Sequence, residues 1–587
     1  MHFSQLPTPD YINEGRDVSR NRVTINAAMY EMIRPVKGLT IRAQQAIDAY
    51  DARVSNHGYP KETLYTPMGD VYAHGTTAGQ LATGYTQQAF GRYYQFTYTN
   101  TAEYKFNLKD IHNFSVLIGE ESIISKNHSF GLFAEGNTDI RQMLLTQATS
   151  VSIADLSESF SEMTMNSFFA NLNYDFDNRY FVDVNYRRDG SSRFAPGHRW
   201  SNFYSVGGMW NLKNEAFMEE YTWLDNAKVR VSYGTTGNSS FANYAYQSLL
   251  GSGGLYNGGS SIGISQAANH KLSWESVAAF DLGINAGFLN IFNVDLDFYV
   301  KNTHDMLLEI PYSVTSGSSS GWGNVGSMRN LGVDVDVRAD IIKTKDWFWG
   351  LHANLNYNKN TITSLYDGLD NVDVGIAKLQ VGHPAYEYYM VRYAGVDPRD
   401  GKQLWLTKEG NLTKEYNYDR DAVLMDKKTP YSPIHGGFGT DLRWKDFSLR
   451  VDFNWAAKKY MVNADLYFIT DNSMATRANQ RTCMLDVWTT PGQITDIPKV
   501  GETIQQGDSR WLEDASFVRL KNLTLSYNLP KTICDKAGIS GVQFHFTGRN
   551  LLTFTDFTGY DPEPEATEVF FFYPNTRQYE FGLNVSF

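Results

Sequence analysis

Apolar and polar residues alternate along much of this chain, and this period of two constrains the fold more than any other feature. In the segment FNVDLDFYVK, one face of an extended strand receives Phe292, Val294, Leu296, Phe298 and Val300. The segments LGVDVDVRAD, FSLRVDFNW and RYFVDVNYRRD repeat the pattern. Because successive side chains of a strand point to opposite faces, these segments predict half-buried strands and not helices.

The connections between the candidate strands alternate between short and long. Short connections are predicted near Pro35–Gly38, Leu108–Asp110, Asp177–Asn178, Leu289–Asn290, Lys343–Lys345 and Lys445–Asp446. Long polar connections are predicted at Arg53–Gln88, Lys126–Ser157, Asn238–Lys271, Thr303–Asn324, Asn358–Pro433 and Lys458–Gly507. About seventeen candidate strands result, near the ~10-residue length that crosses a bilayer at a tilt. Tight turns on one side and long loops on the other are typical of an outer-membrane barrel, whereas a soluble sandwich distributes its loop lengths over both ends.

Composition limits which partners the protein can bind and how it could sit in a membrane. The formal net charge of -12 argues against nucleic acid as a partner, since phosphate backbones require a basic face. No apolar run approaches the roughly 18 residues of a membrane helix, so a location in a membrane requires a closed β-barrel. The aromatic content of 14% suits the two rims of such a barrel, and it also suits a tyrosine-rich soluble β-protein.

The last strand of the chain indicates which surroundings its apolar face meets. The last strand places five apolar side chains on one face, namely Tyr579, Phe581, Leu583, Val585 and Phe587. Alternation does not decide whether such a face meets lipid or a second sheet, but the loop asymmetry and the terminal aromatic residue favour lipid.

The first twenty residues contain neither a basic region nor an apolar core, so no signal peptide is visible. Either the protein is not exported, or the chain lacks its true beginning.

The residues that carry catalytic or metal chemistry form no recognisable constellation. The twelve histidines are scattered, and no HExxH motif occurs. Gly317–Gly321 matches G-x-S-x-G, but the glycines that follow disfavour the helix that a nucleophile elbow needs. Asp400-Gly401 predicts a hairpin turn with positive φ and not a calcium loop. The sequence therefore predicts no enzyme, no metal and no cofactor.

Cysteines and acidic clusters leave two questions open. Cys483 and Cys534 make no framework, and whether they pair cannot be inferred. The acidic pairs and triplets could serve glycoside hydrolysis only at separations that a sequence does not give. These clusters are Glu513/Asp514 and Asp561/Glu563/Glu565. Acids on the inner wall or in loops are the expected interpretation.

Several segments carry a resemblance to a known family. DASFVRLKNLTLSYNLP, FTGRNLLTFTDFTGYDPE and YPNTRQYEFGLNVSF resemble the closing strands of SusC/RagA-type TonB-dependent outer-membrane receptors. Earlier segments agree in order, namely VRVSYGTTGN, WESVAAFDLGINAGFLN, GNVGSMRNLGVDVDV and PIHGGFGTDLRWKDFSL. The resemblance covers nearly the whole chain, and several motifs in the same order are far more specific than one.

The resemblance implies an all-β, antiparallel transmembrane barrel of about 22 strands around an N-terminal plug. It also implies import of oligosaccharides, or of peptides, across the Gram-negative outer membrane. A SusD-like surface lipoprotein would close over the barrel, and the TonB complex would supply energy through the missing N-terminal region. We therefore expect residues 1–587 to be one barrel domain with long extracellular loops, truncated at its N-terminus and without the plug. Such a portion leaves two unpaired edge strands.

The resemblance also suggests roles for particular residues. The barrel-assembly machinery would recognise the final strand with its terminal aromatic residue, and that strand would close the sheet. Aromatic residues in the loops, such as Tyr256, Trp322 and Tyr388, could stack on sugar rings. Two alternatives stay open: a soluble or surface β-rich protein that binds or hydrolyses glycans, and a passive porin. No loop residue identifies the nutrient.

Overall fold

Strands dominate the computed structural model, which describes residues 16–60, 84–256, 259–311, 320–471, 480–536, 538–570 and 572–587. In these ranges, seventeen strands form one large antiparallel sheet in which spatial neighbours are also neighbours along the chain. The strands are β1 (Arg16–Ile33), β2 (Leu39–Gly58), β3 (Gly84–Leu108), β4 (His112–Asn137), β5 (Ser150–Phe176), β6 (Tyr180–Ser191), β7 (Trp200–Asn211), β8 (Leu224–Asn238), β9 (Glu275–Phe288), β10 (Phe292–His304), β11 (Ser327–Lys343), β12 (Trp347–Ser364), β13 (Ile434–Trp444), β14 (Phe447–Ala457), β15 (Phe517–Asn528), β16 (Gly541–Thr555) and β17 (Gln578–Ser586).

The register of the sheet keeps apolar side chains on one face and polar side chains on the other. Phe298 of β10 lies opposite Leu282 of β9 and Val333 of β11. One residue earlier, Asp297 lies opposite Asp334. Because a shift of one residue would exchange the two faces, the alternation read from the sequence fixes this register. The predicted half-buried strands are confirmed.

Tight turns occupy one side of the sheet. Both central residues have positive φ in the turns Lys109-Asp110, Asp177-Asn178 and Leu289-Asn290. This backbone is that of type I′ turns, whose twist matches the twist of the flanking strands. Two longer connections on the same side contain short helices, namely Leu212–Asn214, Ala216–Met218 and Lys531–Lys536. The predicted short connections are confirmed.

On the other side, β2 to β5 continue well beyond the length that crosses a bilayer. The predicted long connection Lys126–Ser157 is wrong in extent, because β4 reaches Asn137 and β5 begins at Ser150. The predicted long connection Arg53–Gln88 is also too long, since β2 ends at Gly58 and β3 begins at Gly84. Backbone pairing continues where the outer face no longer needs apolar side chains, so the alternation that marks a strand disappears before the strand ends.

The long connections contain secondary structure of their own. Two hairpins pair Leu249–Tyr256 with Gly259–Gln266, and Leu307–Pro311 with Ser320–Asn324. A six-stranded sheet comprises Asn371–Val374, Ala377–Gln380, Glu387–Val396, Gln403–Leu406, Leu412–Thr413 and Ala422–Leu424. A three-stranded sheet comprises Tyr460–Asn463, Leu512–Asp514 and Glu568–Val569. The short helices are Leu145–Gln147, Tyr366–Gly368, Tyr418–Asp421, Ala464–Thr470, Thr482–Asp486 and Ser509–Trp511.

One turn inside the six-stranded sheet had been predicted from sequence. Gly401, at φ +71°, lies in the hairpin between Glu387–Val396 and Gln403–Leu406, as Asp400-Gly401 had indicated. Asp397 at the start of this turn pairs with Arg399 and Lys414. None of the helices in the described ranges combines the length and the apolarity that crossing a membrane requires.

In the described ranges, the large sheet is open at both edges. Among the described residues, β1 pairs with β2 alone and β17 pairs with β16 alone. The two unpaired edge strands are those that the sequence predicted for a portion of a barrel. The strand count of a complete barrel stays a prediction.

Candidate functional site

The inner, polar face of the sheet carries ion pairs that join strands. Arg230 of β8 lies 2.6 Å from Asp297 and 3.5 Å from Asp295, both on β10. Arg187 of β6 lies 3.0 Å from Glu121 of β4. These charges satisfy one another across the strands, and the opposite face presents apolar side chains. A polar interior behind an apolar exterior is the arrangement of a membrane barrel that encloses water or a hydrophilic ligand.

A wide space adjoins this inner wall on the side of the tight turns. The cavity has a volume of about 1060 Å³. Its polar lining includes Lys105, Asn113, Asp175, Asp183 and Arg230. Small-molecule sites usually span roughly 300–1,000 Å³, so this interior accommodates a bulky ligand or a protein segment.

Above the other side of the sheet, three long connections pack into one body, called here the loop assembly. In the described part of the chain it comprises residues 365–433, 458–471, 480–516, 556–570 and 572–577. Its largest core contains the buried side chains of Tyr388, Met390, Val462, Ile504 and Trp511. The first two belong to the first connection and the other three to the second. Burial of these side chains therefore holds the two connections together.

An ion pair within the second connection contacts side chains of the first. Asp508 is fully buried and accepts hydrogen bonds from Trp405 Nε1 at 3.0 Å and from Arg510 Nη2 at 2.9 Å. The Arg510 guanidinium lies 3.7 Å from the ring centre of Tyr393 and donates to Gln403 Oε1 at 2.6 Å. Paired and hydrogen-bonded in this way, the buried carboxylate rigidifies the contact between the two connections.

The third connection is fastened to the inner wall by a group that we call the Arg519 latch. Arg519 of β15 lies 2.6 Å from Asp561, and both side chains are only 4% exposed. Arg519 also pairs with Glu563, which receives a second ion pair from Lys521 at 2.7 Å. Asp561 accepts a further hydrogen bond from the backbone N–H of Asn575 at 2.9 Å. The latch folds the last long connection towards the interior of the sheet.

Lys459, which follows the end of β14, fastens the same connection. Its side chain is buried, and Nζ donates to the backbone oxygens of Pro562 at 2.7 Å, Glu563 at 2.8 Å and Pro564 at 2.7 Å. An ammonium group has three donors, so these three carbonyls satisfy it completely. This role was not predictable from sequence, because the partners lie more than 100 residues further along the chain.

We expect Lys459→Met to lower the free energy of local opening of residues 556–577 by about 2 kcal/mol, because buried carbonyls lose their donors. Hydrogen exchange of this segment in the full-length protein measures the change. Lys458→Met is the matched control, since Lys458 is the exposed neighbour. Equal loss of protection in the two variants would contradict the role assigned to Lys459.

The groups considered for catalysis serve other contacts. In the described ranges, His, Cys, Asp and Glu side chains form no cluster that could hold a metal ion. Glu513 accepts hydrogen bonds from Thr558, and the acids of the Arg519 latch are paired. Cys483 and Cys534 are both free thiols. Of the G-x-S-x-G motif, residues 317–319 lie outside the described residues.

A family comparison agrees with this architecture. The family model described as TonB dependent receptor-like, beta-barrel, matches residues 10–551. This chain belongs to the TonB-dependent receptor family. It is therefore a protein of the Gram-negative outer membrane, and the apolar face of its sheet meets lipid.

Individual relatives show which type of TonB-dependent receptor this chain resembles. TonB-dependent receptor P3 of Formosa agariphila is 29% identical over 472 residues, which cover 73% of this chain and 46% of that protein. SusC of Bacteroides thetaiotaomicron is 27% identical over 575 residues, covering 90% of this chain and 54% of that protein. The structure of the RagAB peptide transporter aligns with a TM-score of 0.89 at 35% identity, covering 98% of this chain and 63% of that one. The SusC/RagA-type resemblance is confirmed, and the chain spans about half the length of the curated relatives it matches.

The receptor places one predicted ligand contact in its core. Tyr388 has no exposed surface, and its single hydroxyl proton is shared between the backbone oxygens of Thr567 at 2.6 Å and Tyr460 at 3.0 Å. Burial raises the pKa of this phenol above its ordinary value. No face of the ring is open to a sugar, so the stacking role predicted for Tyr388 does not fit this structure. The ring joins all three connections of the loop assembly.

The other two predicted contacts remain predictions. Trp322 lies in the strand Ser320–Asn324, half-buried, with its ring centre 6.3 Å from that of Phe241. Tyr256 ends the strand Leu249–Tyr256, and its side chain lies outside the described residues. Trp322 and Tyr388 belong to different packed groups, since Trp322 contacts Phe241 and Tyr388 lies in the core of the loop assembly.

The last strand of the receptor presents the apolar row that the sequence predicted. All five residues of the row are exposed, namely Tyr579, Phe581, Leu583, Val585 and Phe587, the last at 94%. Phe581 and Leu583 lie opposite Phe546 and Phe544 of β16, so the row continues the lipid-facing side of the sheet. Recognition of this strand by the barrel-assembly machinery stays a prediction.

Proposed function

We propose that this chain is the barrel of an outer-membrane receptor that imports oligosaccharides, or peptides, with energy from the TonB complex. Residues 1–587 form one barrel domain whose long connections face the outside. The observation that supports this most is the sheet itself, with its polar inner wall, its apolar outer wall and its alignment with the RagAB peptide transporter at a TM-score of 0.89. Bulky hydrophilic cargo is consistent with the volume beside the inner wall.

A SusD-like surface lipoprotein is the partner that we propose for the loop assembly. The assembly has its own buried core and so offers a preorganised surface. Its second connection exposes Leu485, Ile494 and Val500, at 86%, 91% and 68%. We propose that the lipoprotein covers these three side chains. Trp322 and Tyr256 remain our candidates for contact with the cargo.

Uptake by living cells tests the import function. A strain that lacks the receptor gene receives either the full-length gene or an empty vector, and uptake of labelled oligosaccharides and of labelled peptides is followed. We expect the gene to restore uptake of one of these classes, and we expect deletion of tonB to abolish that uptake. The class restored identifies the cargo.

Three results would contradict the proposal. Uptake that persists without TonB would indicate a passive porin. Receptor recovered from the aqueous supernatant after ultracentrifugation would indicate a soluble glycan-binding or hydrolytic protein. Uptake that is the same with the empty vector would show that the receptor does not import either class.

A further inference from the structure

A second cavity, of about 260 Å³, lies on the side of the long connections, beside Glu162 and Thr164 of β5. All its lining side chains carry polar groups, and they include Arg193, Arg199, Tyr244 and Tyr246. We call it the Arg193 pocket. Ligand sites are usually lined mainly by apolar side chains, so a lining of this composition suits a strongly hydrophilic group.

The pocket exists because β5 is longer than β6. Pairing between these strands stops at Met165, and the free edge of β5 beyond it meets two connections. The hydroxyl of Tyr244 accepts a hydrogen bond from the Glu162 backbone N–H at 2.8 Å. Ser192 Oγ accepts one from the Thr164 backbone N–H at 2.9 Å. Both walls are thus fixed to the sheet by hydrogen bonds that satisfy its edge.

The two guanidinium groups of the pocket have only neutral partners. Arg193 Nε donates to Asn243 Oδ1 at 2.8 Å, and its Nη1 donates to the Ser239 backbone oxygen at 2.8 Å. Arg199 Nε donates to the Phe194 backbone oxygen at 3.4 Å. In the portion of the chain that the structure describes, neither of them makes an ion pair with a carboxylate.

The one acidic residue in the lining does not neutralise them. Glu162 pairs instead with Lys126 Nζ at 3.3 Å. Burial lowers the pKa of Arg193, which means that its charge is partly desolvated without a compensating carboxylate. A ligand oxyanion would supply the missing charge, and the planar fork of an arginine matches a carboxylate in particular.

We propose that the Arg193 pocket binds a carboxylate of the cargo, carried either by an acidic sugar or by a peptide. This inference rests on the proposed import function and names the chemical class of its ligand. The volume equals that of roughly eight or nine waters at ~30 Å³ each, enough for a carboxylate and part of the unit that carries it. The arginines hold the oxyanion, and the tyrosines border the unit to which it is attached.

Binding to the purified full-length receptor in detergent tests the pocket without requiring transport. The probes are trigalacturonate with its neutral methyl ester, and triglutamate with its neutral amide, titrated by calorimetry. We expect one acidic probe to bind at least about tenfold more tightly than its neutral counterpart, since hydrogen bonds to charged groups are the stronger ones. Which acidic probe binds distinguishes a sugar source from a peptide source.

Variants test whether the acidic probe binds in the Arg193 pocket. Arg199→Gln should weaken binding of the acidic probe about tenfold and leave the neutral probe unchanged. Arg188→Gln is the matched control, because Arg188 is also exposed and is stacked on Trp200 at 5.3 Å, but it does not line the pocket. Arg193→Gln should act like Arg199→Gln, with heat-modified gel mobility confirming that each variant is folded.

Four results would overturn the proposal: no binding of either acidic probe, equal binding of acidic and neutral probes, an unchanged affinity in Arg199→Gln, or an equal loss in Arg188→Gln. Failure of the import function appears differently, as uptake that does not depend on TonB while binding to the purified receptor persists.

Discussion

Replacing Arg519 with methionine should release the last long connection, residues 556–577, from the inner wall. Removal of one partner from a buried pair leaves the other charge without compensation, and this usually costs about 3–5 kcal/mol. Here the orphaned charge is Asp561, and Glu563 loses one of its two cations. Hydrogen exchange of this connection in the full-length receptor measures the local opening free energy.

Lys521→Met is the matched control for this prediction. Lys521 pairs with the same Glu563, but its side chain is 43% exposed, against 4% for Arg519. Exposed ion pairs contribute about 0–1 kcal/mol, so the control should lose little protection. If the two variants opened equally, burial would not be what makes the latch strong.

The latch should also weaken in acid. Burial by itself raises the pKa of Asp561, but hydrogen bonds from Arg519 and from the backbone N–H groups of Asn575 and Glu563 outweigh it, and the pKa lies below its ordinary value. A carboxyl whose folded-state pKa is lowered stabilises the folded form at neutral pH, and this contribution is lost as the pH falls through that pKa. Protection of residues 556–577 should therefore fall below about pH 4, and by less in Arg519→Met.

Introducing an arginine at Val335 should prevent stable insertion of the full-length receptor. Val335 is the middle residue of the apolar row on β11, and Leu296 of β10 and Leu355 of β12 lie opposite it. Arginine near the bilayer midplane destabilises a membrane barrel by about 2–4 kcal/mol. The amount of heat-modifiable receptor in the outer-membrane fraction, and its midpoint of unfolding in urea, measure the effect.

The next residue along the strand provides the control. Asp336 faces the interior and lies opposite Asp295 of β10, so Asp336→Arg places a cation among acids. This variant should insert normally. Equal loss of inserted receptor in the two variants would show that the apolar row does not face hydrocarbon.

Features that depend only on residues close together in the sequence were predictable. The alternation in FNVDLDFYVK and LGVDVDVRAD indicated both the strands and the faces that they present, because a strand has a period of two. The turns Asp177-Asn178 and Leu289-Asn290 were located correctly, since they interrupt that alternation. The extensions of β4 and β5 were missed because their side chains no longer alternate where lipid ends.

The loop assembly shows what a sequence cannot reveal. Tyr388 resembled other loop aromatics, and the sequence suggested a ligand contact. Its buried position depends on Thr567, which is 179 residues away. Asp561 and Glu563 looked like any acidic cluster, yet Arg519 and Lys521 neutralise them from 42 residues away.

The sequence by itself therefore determined the strands, their two chemically distinct faces and the side of each connection, because each of these follows from neighbouring residues in an extended backbone. The tertiary structure alone decided which loop residues are buried, which charges are paired and where two arginines remain without an acidic partner in the described ranges. Those properties depend on contacts between residues that are distant along the chain, and no local period encodes them.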